Sequence, residues 1–555
     1  MKKRPAYKIN RRTFLGQSAL AVSVLGSGLL VACSRESSPG AAAGSTAGST
    51  AGSTASSTEV ETAYGRINGT VNDGILSFRG VPYGGSTAGA GRFMPPSRPT
   101  PWTGVRDAIE LGQRAPQQFA GGEPPEVAAM DRREAMGEDC LALNVYTPST
   151  SAANAKRPVM VWLHGGGLNS GSAGFDIYNG TNLAKAHDVV VVGVNHRLNA
   201  FGYLYLADLG GEKYSQAGNV GHLDIIAALE WVRDNIEHFG GDPGNVTIFG
   251  QSGGGRKVSI LQGMPAAKGL FHRAIMQSGS ALRGQDRAQA TENADRFLHS
   301  LGLDASGIDK LQQLPYEQLV ELMARERFNF GMVVDGHTLP ASMFEPGATE
   351  ISADVPIMLG TVETEEAWSP RIQIDPIDMP ELVRRVKEDI RVTDANARKL
   401  IGVYQNKFPG IENIDVYLKM QADDTRRMDT QTLADRKSAL GKGAAYVYYF
   451  MWHSPVRDGK MKAYHTLDIP FAFRTVDVAQ SMTGTGQDRY ALQDRMSAAW
   501  TSFARTGNPN HDGLPAWPAY TADQRATMIL NNECQVANDP NKDERQALIA
   551  TPRVA

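Results

Sequence analysis

Ser252 stands between two glycines in a pattern that could make its hydroxyl a nucleophile. Gly250, Ser252 and Gly254 fill the pattern Gly-x-Ser-x-Gly. Because glycine has no side chain, the backbone can turn sharply there and hold a strained serine with its hydroxyl exposed. A helix that begins at this turn has unpaired N–H groups, so the Gly253 N–H could bind a negatively charged oxygen. These features suit acyl transfer by a serine, although short patterns of this kind also occur in ordinary strand–helix turns.

A second candidate site is the glycine-rich segment 164–167. There His164 is followed by three glycines, and a run of apolar residues at 158–163 precedes it. Successive glycines allow several backbone N–H groups to gather around one point, which is what the binding of an oxyanion requires. His164 itself is expected to make structural hydrogen bonds and not to act in catalysis. The alternative interpretation is a plain glycine-rich loop.

Candidates for a catalytic acid follow Ser252 in the chain. A serine hydroxyl is a weak nucleophile at neutral pH, so it needs a base and a carboxylate that orients the base. For a serine on a strand–helix turn, the expected chain order is serine, acid, histidine. An apolar run at 354–360 precedes Glu363, Glu365 and Glu366. Each of these could be the acid, or could belong to a solvated acidic loop.

Three histidines follow those glutamates and are candidates for the base. His453 lies at the end of an apolar run at 445–451 and is interpreted as structural. His511 lies in a polar turn, and His465 lies in the segment 462–473.

Apolar runs alternating with helical patterns must position these residues. The runs predict buried strands, and in the segment 218–239 apolar residues recur at helical spacing. Strands that alternate with helices indicate an α/β fold with a parallel sheet. The predicted strands that lead to the candidate residues are 158–163, 189–195, 246–249, 354–360 and 445–451.

Several segments resemble the type-B carboxylesterases, the family of bacterial para-nitrobenzyl esterases and animal cholinesterases. They are residues 138–146, 503–509 and 517–520, and the resemblance extends over nearly the whole chain after residue 59. It implies the α/β-hydrolase fold, in which helices flank a large, mostly parallel sheet and insertions form a cap and a gorge. It also implies hydrolysis of a small-molecule carboxylic ester through a covalent acyl-enzyme.

The resemblance assigns catalytic roles to particular residues. It implies a triad of Ser252, Glu365 and His465, because the acid in the family lies five positions after the strand's glycine and 462–473 matches its histidine loop. Glu366 remains a neighbouring alternative for the acid. The family's oxyanion donors correspond to Gly166, Gly167 and Gly253.

Gorge walls are expected from the insertions between the nucleophile and residue 440 and from the loop at 117–136. Apolar candidates, each of which could instead belong to the core, are Phe328, Phe330, Met332 and Trp368.

The chain departs from the family pattern at several positions. Ala115 replaces a cysteine that many members pair with the equivalent of Cys140, so that disulfide cannot form. Whether Cys140 pairs with Cys534 is left open by the sequence. Gln251 and Gly253 stand where glutamate and alanine are commoner, which keeps the N–H donors but changes the character of the turn.

Composition excludes other function classes. The 555 residues carry a formal net charge of −3 and have no basic run interleaved with aromatic residues, so nucleic-acid binding is not expected. The metalloprotease pattern His-Glu-x-x-His and the Walker glycine–lysine pattern are absent from the sequence, and we expect neither a metal nor a cofactor. We expect a monomer.

The N-terminus resembles an export signal of the twin-arginine type followed by a lipoprotein cleavage site. Arg11 and Arg12 precede a weakly apolar stretch that ends in small residues before Cys33. We therefore predict a signal peptide at 1–32, a lipidated Cys33 with a flexible tether at 33–58, and the catalytic domain at 59–555. An uncleaved membrane helix is the alternative.

The predicted location is the cell envelope. A lipid anchor would hold the domain at the periplasmic side or outer membrane of a Gram-negative cell, and at the surface of other cells.

Two alternatives to a carboxylesterase remain. One is a non-catalytic binding protein of the cholinesterase type, which would typically lack the serine that this chain has. The other is a lipase or a toxin-ester hydrolase with the same machinery. The sequence does not identify the acyl group or the alcohol of the ester.

Overall fold

An eleven-stranded sheet dominates the computed structural model, which describes residues 58–118, 134–150 and 155–554. The order of its strands is β14-β13-β12-β11-β10-β9-β7-β8-β6-β4-β3, and a separate three-stranded sheet has the order β1-β2-β5. The strands are β1 (Glu59–Thr62), β2 (Gly65–Asn68), β3 (Thr70–Asn72), β4 (Ile75–Pro82), β5 (Val105–Asp107), β6 (Ala142–Thr147), β7 (Arg157–Leu163), β8 (Val190–Val194), β9 (Gly241–Gln251), β10 (Arg273–Gln277), β11 (Ile357–Val362), β12 (Ala445–Phe450), β13 (Ala526–Leu530) and β14 (Gln535–Asn538).

The centre of the large sheet is parallel and its two margins are antiparallel. Every pairing from β8 through β7, β9, β10, β11 and β12 to β13 is parallel. The strands β14 at one margin and β6, β4 and β3 at the other pair in antiparallel fashion. This architecture confirms the mostly parallel sheet of the α/β-hydrolase fold.

Helices connect the parallel strands and cover the sheet. The longest are α4, which leads into β9, and α14, which packs against α12 and against strands β7 and β9. Their bounds are α1 (Thr181–His187), α2 (Asn199–Tyr203), α3 (Ala207–Gly210), α4 (Val220–Asn235), α5 (Gly253–Leu261), α6 (Arg287–Ser300), α7 (Tyr316–Arg325), α8 (Met379–Ile390), α9 (Asp394–Lys407), α10 (Asn413–Ala422), α11 (Met428–Ala439), α12 (Ile469–Phe473), α13 (Gln480–Thr483), α14 (Asp488–Thr506) and α15 (Lys542–Ala550).

The central strands are buried along their length, which is why they appear in the sequence as continuous apolar runs. All residues of β8, β11 and β12 are buried. A parallel sheet with helices on both faces excludes water from both sides of each strand, so no polar alternation is needed. The strands predicted at 158–163, 189–195, 246–249, 354–360 and 445–451 all exist, within a few residues at their ends.

A hairpin at the margin of the sheet follows from a two-residue sequence signal. Asp73 and Gly74 link β3 to β4, which pair in antiparallel fashion. Both residues have positive φ, 52° and 79°. An Asp-Gly pair tolerates that geometry, and the resulting turn matches the twist of the two strands.

The parallel arrangement brings four chain segments to one edge. Strands β7, β9, β11 and β12 run in the same direction, so the residues after their carboxyl ends gather at the same side of the sheet. Binding sites in open α/β sheets lie at this edge. The glycine segment after β7, Ser252 after β9, the glutamates after β11 and the histidine segment after β12 all meet there.

Three further features can be stated for the described residues. Cys140 and Cys534 are both free thiols, Cys140 buried and Cys534 partly exposed. Within the described ranges, the helices are all too short or too polar to span a bilayer. A group of three or more side chains able to hold a metal ion is also lacking there.

The predicted signal peptide, Cys33 and the tether to residue 57 lie outside the described residues, as do residues 119–133 of the predicted gorge loop.

Candidate active site

Ser252 occupies a strained turn between β9 and α5. Its φ of 57° and ψ of −120° lie outside the regions that residues with a side chain prefer, at a cost of about 1–3 kcal/mol. The turn is held by a hydrogen bond from the Ser252 N–H to the Gln277 carbonyl, 2.7 Å, and by one from the Arg256 N–H to the Ser252 carbonyl, 2.9 Å. Backbone strain of this kind is found at functional sites.

The glycines beside Ser252 are required by close packing against the end of β7. A Cβ atom on Gly254 would lie 1.9 Å from the Leu163 carbonyl oxygen, and one on Gly250 would lie 2.6 Å from the same atom. Both distances are shorter than any real contact to a Cβ atom. The Gly-x-Ser-x-Gly pattern therefore allows the turn to approach the strand that leads to the glycine segment.

Gly166 and Gly167 form a loop that packs directly on the Ser252 turn. Both have positive φ, 90° and 65°, which residues with a side chain rarely adopt. A Cβ atom on Gly253 would lie 2.1 Å from the Gly167 carbonyl oxygen and 2.5 Å from its backbone nitrogen. The three predicted oxyanion donors therefore lie on two backbone segments in direct contact, and Gly253 leaves no room for the commoner alanine.

His465 and Glu365 form a buried pair at the same edge of the sheet. The distance from His465 Nδ1 to Glu365 Oε2 is 2.6 Å, and both side chains are almost wholly buried. A hydrogen bond to a carboxylate requires the proton on Nδ1, which leaves Nε2 as an acceptor in the neutral ring.

A backbone link aligns the two loops that carry this pair. Thr364 and Tyr464, the residues immediately before Glu365 and His465, form an isolated parallel bridge. The Thr364 N–H donates to the Ala463 carbonyl at 2.9 Å, and its hydroxyl donates to the Met461 carbonyl at 2.7 Å. Glu365 and His465 therefore follow backbone positions that are paired with each other.

The three glutamates after β11 have different partners. Glu363 contacts Lys419 and His453. Glu366 lies 3.4 Å from Arg426 Nη2 and is partly exposed. Among these three candidates, Glu365 is the one that the structure brings to His465.

The charge state of the pair follows from burial and from neighbouring charges. Burial lowers the pKa of His465, the positive charge of Arg426 lowers it further, and the bond to Glu365 opposes both effects in part. Burial opposes ionisation of Glu365, but His465 and Arg426 together bring its pKa below the ordinary value. The pair is therefore a neutral imidazole and a carboxylate at neutral pH, as a general base requires.

Two residues at the pair were not assigned a role from the sequence. Arg426, in a π-helical turn at Asp423–Arg427, places Nε 3.5 Å from Glu365 Oε2 and donates from Nη1 to the Ser278 carbonyl at 3.0 Å. Gln251 places its amide nitrogen 3.3 Å from both ring nitrogens of His465. Arg426 carries no motif that could have revealed it, whereas Gln251 was noticeable only as a departure from the family.

The other three histidines considered in the sequence analysis have different partners. His164 Nδ1 donates to the Gly165 carbonyl at 2.8 Å, and His453 contacts Glu363. His511 Nε2 donates to the Arg495 carbonyl at 2.9 Å. The expected structural hydrogen bonds of His164 are thus present.

A cavity of about 740 Å³ is lined by residues that follow the glycine segment and the Ser252 turn, but not by Ser252, His465 or the three glycines themselves. Leu168, which follows Gly167, and Arg256, in the first turn of α5, form part of its wall. Most of its other side chains are polar or charged: Ser280, Arg283, Gln285, Asp286, Gln289, Asn329, Glu345, Asp429 and Arg436.

The four apolar gorge candidates lie in different surroundings in the structure. Phe330 and Met332 line the cavity. Phe328 packs edge-on against Phe297, with 4.9 Å between ring centroids. Trp368 stacks on His465 at 5.5 Å. Trp368 is thus a neighbour of His465, and Phe328 packs against a hydrophobic cluster that also includes Phe330.

Comparison with known proteins assigns this architecture to a family. The model of the carboxylesterase family matches residues 56–548. The para-nitrobenzyl esterase of Bacillus subtilis is 34% identical over 506 residues, 87% of this chain and 97% of the relative. The phenmedipham hydrolase of Pseudarthrobacter oxydans is 32% identical over 86% of this chain and 95% of its own length.

A solved structure agrees with this match. A carboxylesterase of Geobacillus stearothermophilus aligns with a TM-score of 0.76 at 35% identity, covering 88% of this chain and 100% of the other. These similarities extend through the strands that carry the Ser252 turn and the Glu365–His465 pair. The chain belongs to the carboxylesterase family and is a carboxylic ester hydrolase.

Proposed function

We propose that the chain hydrolyses esters through Ser252, His465 and Glu365. The contact of 2.6 Å between His465 and Glu365 at the edge that carries the strained Ser252 is the observation on which this proposal rests. His465 Nε2 takes the proton of the Ser252 hydroxyl while its oxygen attacks the ester carbonyl. Glu365 keeps the ring oriented and stabilises the imidazolium that forms.

The backbone N–H groups of Gly166, Gly167 and Gly253 are proposed to bind the oxyanion of the tetrahedral intermediate. The close contact between Gly253 and Gly167 supports this role, because donors on the two segments can then face one oxygen. Collapse of the intermediate expels the alcohol with a proton from His465. Water then attacks the acyl-enzyme by the same route and releases the acid.

We propose that the ester reaches Ser252 through the cavity lined by Leu168 and Arg256, whose wall favours short or polar esters over long acyl chains. Its wall carries more polar and charged side chains than apolar ones, including Arg256 and Asp429. A long hydrocarbon chain gains free energy from apolar walls and would leave these polar groups without water. This observation favours an esterase over a lipase.

The test is hydrolysis of para-nitrophenyl acetate, butyrate and palmitate by the purified chain and by Ser252→Ala. We expect turnover on the two short esters, little on the palmitate, and loss of activity in the variant. Activity retained by a folded Ser252→Ala variant would contradict the serine mechanism. Preference for the palmitate, with a rate increase at a lipid interface, would contradict the esterase assignment in favour of a lipase.

We propose that the chain is exported and anchored through Cys33. The sequence features at Arg11, Arg12 and Cys33 support this proposal. The test is membrane fractionation of cells that express the full chain, Cys33→Ser, or the double change of Arg11 and Arg12 to Lys. We expect the first in the membrane fraction, the second released from it, and the third retained in the cytoplasm. Membrane attachment of Cys33→Ser would favour an uncleaved helix instead.

A further inference from the structure

Lys257 is a buried cation directly behind the candidate oxyanion site. It lies on α5, four residues after Gly253, and its side chain is wholly buried. Its Nζ donates to the His164 carbonyl oxygen at 2.9 Å. Among the residues that the structure describes, Lys257 has no carboxylate within ion-pair distance. A buried ammonium without a counter-charge is costly, so its presence calls for an explanation.

The bond from Lys257 joins the two backbone segments of the candidate site. His164 begins the glycine segment after β7, and its carbonyl oxygen lies 3.1 Å from where a Cβ atom on Gly254 would stand. Helix α5 thus starts with Gly253 and, one turn later, holds the peptide that leads to Gly166 and Gly167.

Neutral groups surround the Lys257 ammonium. The rings of His164 and His196 stack at 4.9 Å, and their Nδ1 atoms donate to the carbonyls of Gly165 and Arg197. Burial, followed by the charge of Lys257, holds the pKa of both rings well below the ordinary value and that of His222 at about 3.

The nearby carboxylate on α4 is already paired. Asp224 forms a buried ion pair of 2.6 Å with Arg197. Tyr203, on α2, packs edge-on against the His222 ring at 5.6 Å. The groups that face Lys257 from β7, β8, α2 and α4 therefore add no uncompensated negative charge. Burial alone lowers the pKa of Lys257 to about 7.

We propose that Lys257 is a positioning residue that fixes the glycine segment through the His164 carbonyl and whose positive charge is balanced by the oxyanion during the reaction. The inference rests on the proposed function. Among the described residues the ammonium has no negative partner, and the reaction creates a negative charge on the substrate oxygen that the neighbouring loop is proposed to bind. A preorganised charge of this kind lowers the free energy of the transition state more than that of the bound substrate.

The experiment compares Lys257→Met with a matched control, Lys437→Met, in the full-length protein. Lys437, on α11, is also buried and donates to two carbonyls, those of Ser352 and Ala353, at 2.8 and 2.9 Å. Burial likewise lowers its pKa, to about 8. Methionine fills a similar volume without a charge. The readouts are kcat and KM for para-nitrophenyl acetate from pH 5 to 10, and the melting temperature.

In Lys257→Met we expect kcat to fall by about tenfold or more, with KM within about twofold and no loss of melting temperature. The wild type should lose kcat as pH rises and Lys257 gives up its proton, and this alkaline decline should be absent from Lys257→Met. In Lys437→Met, kcat should stay within about twofold.

Three results would overturn the proposal: kcat within twofold of wild type in Lys257→Met, an equal loss in Lys437→Met, or a loss with the alkaline decline intact. If Lys257→Met fails to fold, Lys257→Gln, which keeps a donor without the charge, is judged by the same criteria. Ser252→Ala measured alongside separates the two claims. An active Ser252→Ala would contradict the proposed mechanism itself, whereas an inactive one beside an active Lys257→Met would contradict only the role of Lys257.

Discussion

The two halves of the candidate active site are held together by different kinds of contact. On the side of β11 and β12, the contacts are between ionisable side chains: His465 with Glu365, and Arg426 with both Glu365 and Glu366. On the side of β7 and β9, the contacts are between backbone segments that touch where side chains are missing, as at Gly253 and Gly167. The first half should respond to changes of charge and pH, and the second to changes of size.

This difference indicates how each half can fail. A charge in a buried site acts over several ångströms and shifts the pKa of its neighbours. A methyl group affects only the atoms that it contacts, but in a closely packed region it must displace them. Lys257 combines the two kinds of effect, because it adds a charge to the side of β7 and β9, where the other contacts are between backbone segments.

Loss of the base should have the largest effect. We expect His465→Ala to lower kcat/KM by roughly 10⁴-fold or more, because the serine then has no proton acceptor. His453→Ala is the control, since His453 contacts Glu363 and should leave kcat/KM within a few-fold. The measurement is steady-state hydrolysis of para-nitrophenyl butyrate. Comparable losses of kcat/KM in both variants would contradict the assignment of His465 as the base.

The choice between the glutamates comes next. Glu365→Gln should lower kcat by about 10²- to 10⁴-fold, because an amide neither stabilises the imidazolium nor enforces its tautomer. Glu366→Gln should lower kcat by less than about fivefold, since Glu366 is partly exposed and contacts Arg426 and not His465. Steady-state kinetics of the two variants, with circular dichroism as the test of folding, decide between them. A larger loss in Glu366→Gln would reverse the assignment.

One methyl group tests the packed half. Gly253→Ala should lower kcat by roughly 10- to 100-fold, because its Cβ atom would displace Gly167 and with it an oxyanion donor. Gly402→Ala, on α9 with no atom within 4 Å of the added Cβ, is the matched control and should leave kcat unchanged. The readout is kcat at the pH optimum. Full activity of Gly253→Ala would mean that the glycine segment can shift without loss of function, and that catalysis does not require its tight packing on Gly253.

The smallest expected effect comes from adding one charge beside His465. His465 must be neutral to act, so activity falls as pH drops through its lowered pKa. Gln251→Glu places a negative charge near the ring, favours the imidazolium and should move this acid limb upward by about one pH unit. Gln251→Met should leave the limb in place. The measurement is kcat/KM from pH 4 to 9, and a limb that moves downward in Gln251→Glu would contradict the electrostatic argument.

Much of the fold could be predicted because its signals are local. A parallel strand buried on both faces leaves a continuous apolar run in the sequence, and the runs that lead to Gly166, Ser252, Glu365 and His465 were found in this way. The Asp73–Gly74 turn also depends on a local signal, since an Asp-Gly pair tolerates the positive φ that both residues have. Arg426 was missed because an arginine in a helical insertion shows no sign of the carboxylate that it will meet.

The order of the elements, the family and the positions where glycine permits a sharp turn could be recognised from the sequence, because they depend on residues close together in the chain. Three features became visible only in the folded chain: which of three neighbouring glutamates meets His465, the packing of Gly253 on Gly167, and the burial of Lys257 behind the glycine segment. These features depend on contacts between residues 86 to 100 positions apart, which form only when parallel strands bring their ends to one edge of the sheet.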